Sequence, residues 1–204
     1  MQLDMSFVPD NRSGNWSVET FEVPKNDPTQ IFSIMKSGRG VPPGTYKRLM
    51  RGGTVVMSNT PDELFDFHKV QHLAHGSVLI NGLGLGCLVR VLLNKSEVTQ
   101  ITVIEKSEDV IALVKPYLVD SRLTIIQADA FSFQPPKGAR YDFVWHDIWD
   151  YICSDNLKQM AILHRKYARR SGWQDSWARA ICKQQDQRWK KQERAYQSFS
   201  GMYQ

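Results

Sequence analysis

Long apolar runs alternate with amphipathic stretches through the middle of the chain, from Ser77 to Asp150. The runs are rich in β-branched or aromatic residues, which is typical of strands buried on both faces. The stretches at 87–94 and 107–116 place apolar residues on one face of a helix. This alternation predicts an α/β fold with a Rossmann-like parallel sheet. The predicted strands are residues 78–80, 101–104, 123–126 and 143–145.

The first 58 residues follow a different pattern, with short apolar stretches separated by turn residues. Trp16, Val18 and Thr20 alternate with polar residues, as in a half-buried strand. Further apolar runs at 31–35 and 54–57 complete a predicted β-meander.

Both segments that flank the predicted sheet have helical character. Thr60 and Pro61 resemble a helix start, so we expect a helix that continues through Leu73. After Asp150 no further strand is predicted, and a helical tail is expected with three apolar residues at i, i+4 and i+8 on one face, Trp173, Trp177 and Ile181. The predicted divisions are a β-meander (1–58), a core (59–150) and a tail (151–204).

Composition narrows the class of protein. Of the 204 residues, 42% are hydrophobic and 23% are charged, which is an ordinary globular balance. No apolar run approaches the roughly 20 residues of a membrane-spanning helix, and the N-terminus lacks a secretory pattern, so we expect no membrane contact and a cytoplasmic location. The three cysteines are widely spaced and are expected to be reduced thiols.

The glycine turn Asn81-Gly82-Leu83-Gly84-Leu85-Gly86 directly follows one predicted strand and precedes a helix. Such a turn lets a ligand approach bare backbone N–H groups. Glu105 closes the second strand and Asp129 follows the third, where a ribose and an adenine could be held. Because ligands of open α/β sheets bind at the carboxyl ends of strands, these groups predict a nucleoside-like ligand. Taken singly, each group is equally consistent with a tight turn, a helix cap or a loop acid.

These residues resemble the class I S-adenosylmethionine-dependent methyltransferases, and within them the spermidine-synthase-like branch. The likeness covers about residues 52–150 and implies a shortened form of that fold, with S-adenosyl-L-methionine as the cofactor. It also implies the cofactor-binding residues. The methionine part would lie on Gly82, Gly84 and Gly86, the ribose on Glu105, and the adenine beside Asp129 and Ala130.

The segment after the fourth strand supplies the candidate catalytic residues. Asp147 and Asp150 are similar to the D-x-x-D pair of aminopropyltransferases. Asp147 is a candidate base, because it ends the strand beside the expected reactive carbon, and Asp150 could hold a cationic acceptor. Asp147 could equally be a structural cap. Strand alternation points His146 away from the face that carries Asp147.

Two departures from the aminopropyltransferase pattern favour methyl transfer. Leu85 stands where those enzymes carry an acid, and Lys69 stands where they carry a glutamate. The function expected is therefore a methyltransferase of unknown acceptor. A spermidine-synthase-like aminopropyltransferase is one alternative, and a non-catalytic protein that binds nucleic acid is another.

The basic charge is concentrated in the tail. Residues 151–204 hold eleven basic and four acidic side chains, whereas the whole chain carries a net charge of +5. The run 164–170 interleaves cations with a tyrosine, so the tail could bind nucleic acid or another acidic partner. It could equally pack on the core, and a homo-oligomer would cover an open sheet edge.

The histidines of the predicted helix are a weak metal signal. His68, His72 and His75 have helical spacing, but Lys69 beside them would repel a cation. We therefore expect no metal site.

Overall fold

The N-terminal residues form an antiparallel sheet in this computed structural model, which describes residues 3–25, 35 and 40–200, with side chains to 197. Its order is β1-β2-β3-β4. The strands predicted around 16–20 and 54–57 are confirmed, and the run at 31–35 lies outside the described residues except for Met35. The strand bounds are β1 (Asn11–Ser13), β2 (Trp16–Val23), β3 (Gly44–Arg51) and β4 (Thr54–Ser58).

The sequence did not predict β3, although it lies between two partners. Polar residues interrupt the hydrophobic pattern expected of a buried strand. One of them, Lys47, is itself buried, and its ammonium group lies 2.5 Å from the Asp10 carboxylate. That ion pair lowers the pKa of Asp10 to about 2. The buried charge of Lys47 is therefore stabilised by Asp10, a partner from another segment that a hydropathy pattern cannot reveal.

The helix predicted from Thr60 to Leu73 is divided in two. Helix α1 (Pro61–Asp66) and helix α2 (His68–Leu73) meet at Phe67, whose ring is buried. Thr60 occupies the N-cap position as expected, but its hydroxyl contacts the Ser58 hydroxyl at 2.9 Å instead of capping the helix.

The central sheet confirms the predicted α/β fold with a parallel, Rossmann-like arrangement. Five strands lie in the order β7-β6-β5-β8-β9, and every neighbouring pair is parallel. The first four are those predicted, and α3 and α4 connect them as expected. The bounds are β5 (Gly76–Asn81), α3 (Cys87–Leu93), β6 (Val98–Glu105), α4 (Glu108–Val114), β7 (Leu123–Gln127) and β8 (Tyr141–His146).

The expectation that no strand follows Asp150 is wrong. Helix α5 (Asn156–Tyr167) leads into β9 (Ser171–Ser176), which pairs with β8. Trp173 lies in this strand and stacks on Phe143 with ring centroids 4.3 Å apart, so it does not share a helical face with Trp177 and Ile181. Strand β9 is polar and contains a glycine, and its pairing is decided by hydrogen bonds to β8 and by that stacking.

The chain then leaves the core as a long helix. Helix α6 (Arg179–Ser200) follows Ala178, which has a left-handed φ of 52°. Cys182 is buried, whereas Trp189 and Tyr196 are 69% and 77% exposed. Among the described residues, no helix combines the length and the apolar character needed to cross a bilayer.

Candidate functional site

A cavity of about 910 Å³ lies where the N-terminal sheet covers the carboxyl ends of the core strands. The glycine turn, the ends of β6 and β7 and the segment after β8 all reach it, as the sequence predicted for one shared ligand site. Among the residues that line it are Gly82, Gly84, Glu105, Asp129, Ala130, Asp147 and Asp150.

The glycine turn presents bare backbone to the cavity at two positions. A Cβ on Gly82, where φ is 99°, would collide with the carbonyl oxygen of Asp147. A Cβ on Gly84 would lie 2.6 Å from the Met57 sulfur. Neither position accepts a side chain, so the turn can pass between β8 and the N-terminal sheet only as glycine.

Gly86 has a different place from the other two glycines. It precedes α3, and a Cβ there would meet Leu118 and Val114 at 2.8 and 3.0 Å. Its surroundings are the packed helices on the core side of the turn. The structure thus gives Gly86 a role in helix packing, and the ligand contact expected of it stays a prediction.

Met57 of β4 lies directly on the glycine turn. Its sulfur is 3.1 Å from the backbone nitrogen of Leu85, which donates a weak hydrogen bond to it. The Leu85 side chain is fully buried in the core. An acid at position 85 would therefore be surrounded by apolar side chains. Position 85 does not face the ligand site here, although the comparison with the aminopropyltransferase turn assumed that it would.

Glu105 joins the glycine turn to the next helix. Its two carboxylate oxygens accept hydrogen bonds from the backbone N–H groups of Leu83, at 2.8 Å, and Ser107, at 2.7 Å. A carboxylate oxygen has two lone-pair directions, so each oxygen can still accept a ligand hydroxyl. Glu105 thus lines the cavity and organises the loops around it, and the ribose contact expected of it stays a prediction.

Asp129 occupies the neighbouring corner of the cavity. It accepts a hydrogen bond from the backbone of Phe131 at 2.7 Å and lies 2.9 Å from the ammonium group of Lys106. Lys106 holds the pKa of this carboxyl below its usual value. Ala130 follows with its side chain buried and its carbonyl oxygen 2.9 Å from Lys166.

Asp147 is the cavity residue with the most altered acidity. Its backbone N–H donates a hydrogen bond of 2.8 Å to the carbonyl oxygen of Asn81, the last residue of β5. This bond places Asp147 beside the glycine turn. Burial, together with the nearby charges of Glu63 and Asp66, raises the pKa of Asp147 to about 7. A carboxyl with this pKa can accept and return a proton near neutral pH.

Asp150 is engaged differently. Its carboxylate forms an ion pair with Arg51 of β3, and the Arg51 guanidinium lies 5.3 Å from the centre of the Trp16 ring. The pair connects the N-terminal sheet to the segment after β8 at the rim of the cavity. Asp150 is therefore positioned to hold the two sheets together, and its catalytic assignment stays a prediction.

His146 lies on the opposite face of the sheet from Asp147, as strand alternation predicted. Its ring contacts Asn81 at 2.7 Å and Gln174 at 3.3 Å. Burial lowers the pKa of His146 to about 3, so the ring is neutral at physiological pH. It is a structural group between β5, β8 and β9, outside the cavity.

The basic residues on helix α2 and just after it do not line the cavity. Lys69 lies 3.4 Å from Asp175 and over the ring of Trp173. His68 stacks on Phe65, and His75 contacts the Leu73 carbonyl. Within the part of the chain that the structure describes, no group of three or more potential ligands could hold a metal ion.

Sequence reasoning missed the cavity residues that come from outside the core. Trp16, Arg51 and Met57 belong to the N-terminal sheet, and Trp177 follows β9. Trp177 donates from its indole nitrogen to Asp66 at 3.1 Å. No local signal could have found them, because each reaches the cavity through contacts between segments far apart in sequence.

The sequence matches no family model, and no curated protein matches it. Solved structures with a similar fold include a methyltransferase from Thermoplasma acidophilum, described as putative, with 22% identity over 46% of this chain and 40% of that chain, at a TM-score of 0.35. Spermidine synthase from Thermotoga maritima overlaps with 18% identity over 72% of this chain and 49% of that chain, at a TM-score of 0.43. An N-methyltransferase from Bradyrhizobium japonicum overlaps with 16% identity over 50% of this chain and 55% of that chain, at a TM-score of 0.39.

The core of this chain is a parallel, Rossmann-like α/β sheet, and the glycine turn lies at the carboxyl end of its central strand β5. The aligned part spans about two fifths of the Thermoplasma protein and half of the spermidine synthase.

Proposed function

We propose that this protein is a transferase that uses S-adenosylmethionine, and specifically a methyltransferase. One observation carries the proposal: the bare glycine backbone, Glu105, Asp129 and Asp147 all line the same cavity. Its volume of about 910 Å³ is within the range of small-molecule sites and is ample for a nucleoside cofactor beside an acceptor.

The donor groups fit the parts of this cofactor. The free lone pairs of Glu105 would accept the two ribose hydroxyls, and Asp129 with Ala130 would border the adenine. Gly82 and Gly84 would lie under the methionine part, since both line the cavity and present only backbone there. The small-molecule cofactor and the cytoplasmic location expected from the sequence both belong to this proposal.

When bound, S-adenosylmethionine supplies an electrophilic methyl group that is transferred by in-line attack. The protein's task is then to orient an acceptor, exclude water and remove any proton that the acceptor loses. Asp147 would accept that proton, because its pKa of about 7 leaves it ionised above neutrality and still basic. The ion pair between Arg51 and Asp150 would hold the cavity closed.

Cofactor binding tests the proposal directly. Isothermal titration of the full chain should show binding of S-adenosylmethionine and of its demethylated product. Glu105→Gln should weaken both by at least 10-fold, whereas Glu108→Gln on the exposed start of α4 should not. Comparable melting temperatures would show that both variants fold, and binding of NAD in place of S-adenosylmethionine would refute the proposal.

Two alternatives remain distinguishable by product. An aminopropyltransferase would prefer the decarboxylated cofactor and a polyamine. Two residues count against this alternative, because Leu85 is buried and Lys69 pairs with Asp175. A non-catalytic protein would bind the cofactor without transferring a labelled methyl group. The homo-oligomer expected from the sequence is tested separately by sedimentation.

A further inference from the structure

The basic run at 164–170 divides into residues that serve the fold and residues that face solvent. His164 contacts the Ser176 hydroxyl at 2.9 Å, and Tyr167 is fully buried. Lys166 donates to the carbonyls of Ala130 and Phe131 at 2.9 and 3.0 Å. These contacts attach α5 to the sheet and to the loop after β7.

Two of the three arginines of the same run take no part in those contacts. Arg165 and Arg169 are exposed and four residues apart at the end of α5. Arg140, exposed on the loop before β8, joins them around a recess of about 360 Å³, which we call the basic recess. Its lining consists of Gly138, Ala139, Arg140, Arg165, Lys166, Ala168, Arg169 and Arg170.

The charge of the basic recess is not neutralised by the protein. No carboxylate is among its lining residues, and Arg170 donates only to the carbonyls of Pro136 and Ala139. Within the described residues, the guanidinium groups of Arg140, Arg165 and Arg169 have neither a hydrogen bond nor an ion pair. A helix C-terminus favours cations, but that effect does not account for Arg140, which comes from a different segment.

We propose that the basic recess binds the phosphate backbone of nucleic acid. Guanidinium groups match phosphate oxygens in charge and geometry, and three unpaired ones converge here from two segments. The small apolar residues Gly138, Ala139 and Ala168 offer no anchor for a lipid surface, which would require larger exposed apolar side chains. No aromatic side chain lines the recess, so binding depends on backbone charge and is independent of base sequence.

The basic recess and the proposed cofactor cavity have different lining residues, and Lys166 of the recess contacts the cavity lining through the carbonyls of Ala130 and Phe131. Strand β8 runs from Tyr141 beside the basic recess to His146 beside the cavity, a length of about 20 Å at ~3.3 Å per residue. The inference therefore does not rest on transferase activity, and binding can be measured without any cofactor.

The test uses the full chain and a fluorescent single-stranded 20-mer, titrated by anisotropy at several salt concentrations. Arg140→Gln/Arg165→Gln/Arg169→Gln should weaken binding at least 10-fold at about 0.1 M salt. Three lost phosphate contacts should also reduce the slope of log affinity against log salt by about 2. The Lys triple variant, which keeps the charge, should retain most of the affinity.

A matched variant removes the same charge elsewhere. Arg188→Gln/Lys190→Gln/Lys191→Gln lies on the exposed part of α6 and should change affinity less than 3-fold. Equal losses in both variants would mean that net charge alone attracts the strand, and a loss only in the control would place the site on α6. Either result overturns the proposal, as does absence of binding by the unmodified protein or equal competition by polyglutamate.

Discussion

The two ends of strand β8 carry opposite charges in opposite environments. At the carboxyl end, the N-terminal sheet covers Asp147 and burial raises the pKa of its carboxyl to about 7. At the amino end, Arg140 and its neighbours remain exposed around the basic recess. The difference teaches that burial gives the carboxyl at one end a raised pKa, whereas the exposed arginines at the other end keep their charge in contact with solvent.

Glycine substitutions at the two ends should give the largest contrast. Gly82→Ala should lower the free energy of unfolding by about 3 kcal/mol or more, because strain at a positive φ adds to a collision with the Asp147 carbonyl. Gly138→Ala beside the basic recess has a φ of 82° but open space, and should cost about 1 kcal/mol. Urea unfolding of both variants measures the difference, and similar losses would contradict the close packing of the turn.

Removing the carboxylate at the covered end should abolish most of the proposed activity. Asp147→Asn should lower the rate of methyl transfer by about 10²-fold, since a positioned base contributes about that much. Cofactor affinity should stay within about 3-fold, because in the proposed reaction Asp147 would face the acceptor. Above pH 7 the unmodified protein should transfer methyl groups fastest, and a flat pH profile would refute the role of base.

The same substitution should have a pH-dependent effect on stability. The pKa of Asp147 is raised from 3.8 to about 7, so its favourable contribution is present below about pH 4 and is lost as pH rises through 7. Asp147→Asn does not suffer that loss. Its melting temperature relative to the unmodified protein should therefore be about 7 °C higher at pH 8.5 than at pH 4.5, and a constant difference would argue against the raised pKa.

A substitution at the exposed end of β8 should change the stability of the protein very little. Arg165→Gln should change the free energy of unfolding by less than about 0.5 kcal/mol, because its side chain is exposed and its guanidinium forms no hydrogen bond or ion pair within the described residues. Thermal unfolding checks this value. A larger loss would show that the basic recess is a structural feature of the helix end.

Much of the core could be predicted because its signals are local. Strands such as residues 101–104 are continuous apolar runs, and burial on both faces leaves them few alternatives. Glu105 and Asp129 could be placed together because parallel strands end at a common edge. The positions of Gly82 and Gly84 followed from the same reasoning.

Tertiary contacts decided the rest. Strand β9 has a polar sequence and forms because β8 offers it hydrogen bonds and Phe143 stacks on Trp173. Asp150 meets Arg51 across 99 positions of sequence, which no local pattern encodes. Sequence by itself determined where buried strands and their terminal acids occur, since burial and hydrogen bonding act along the chain. Only the docking of the two sheets decided which carboxyl is desolvated and which is paired, because both effects depend on neighbours distant in sequence.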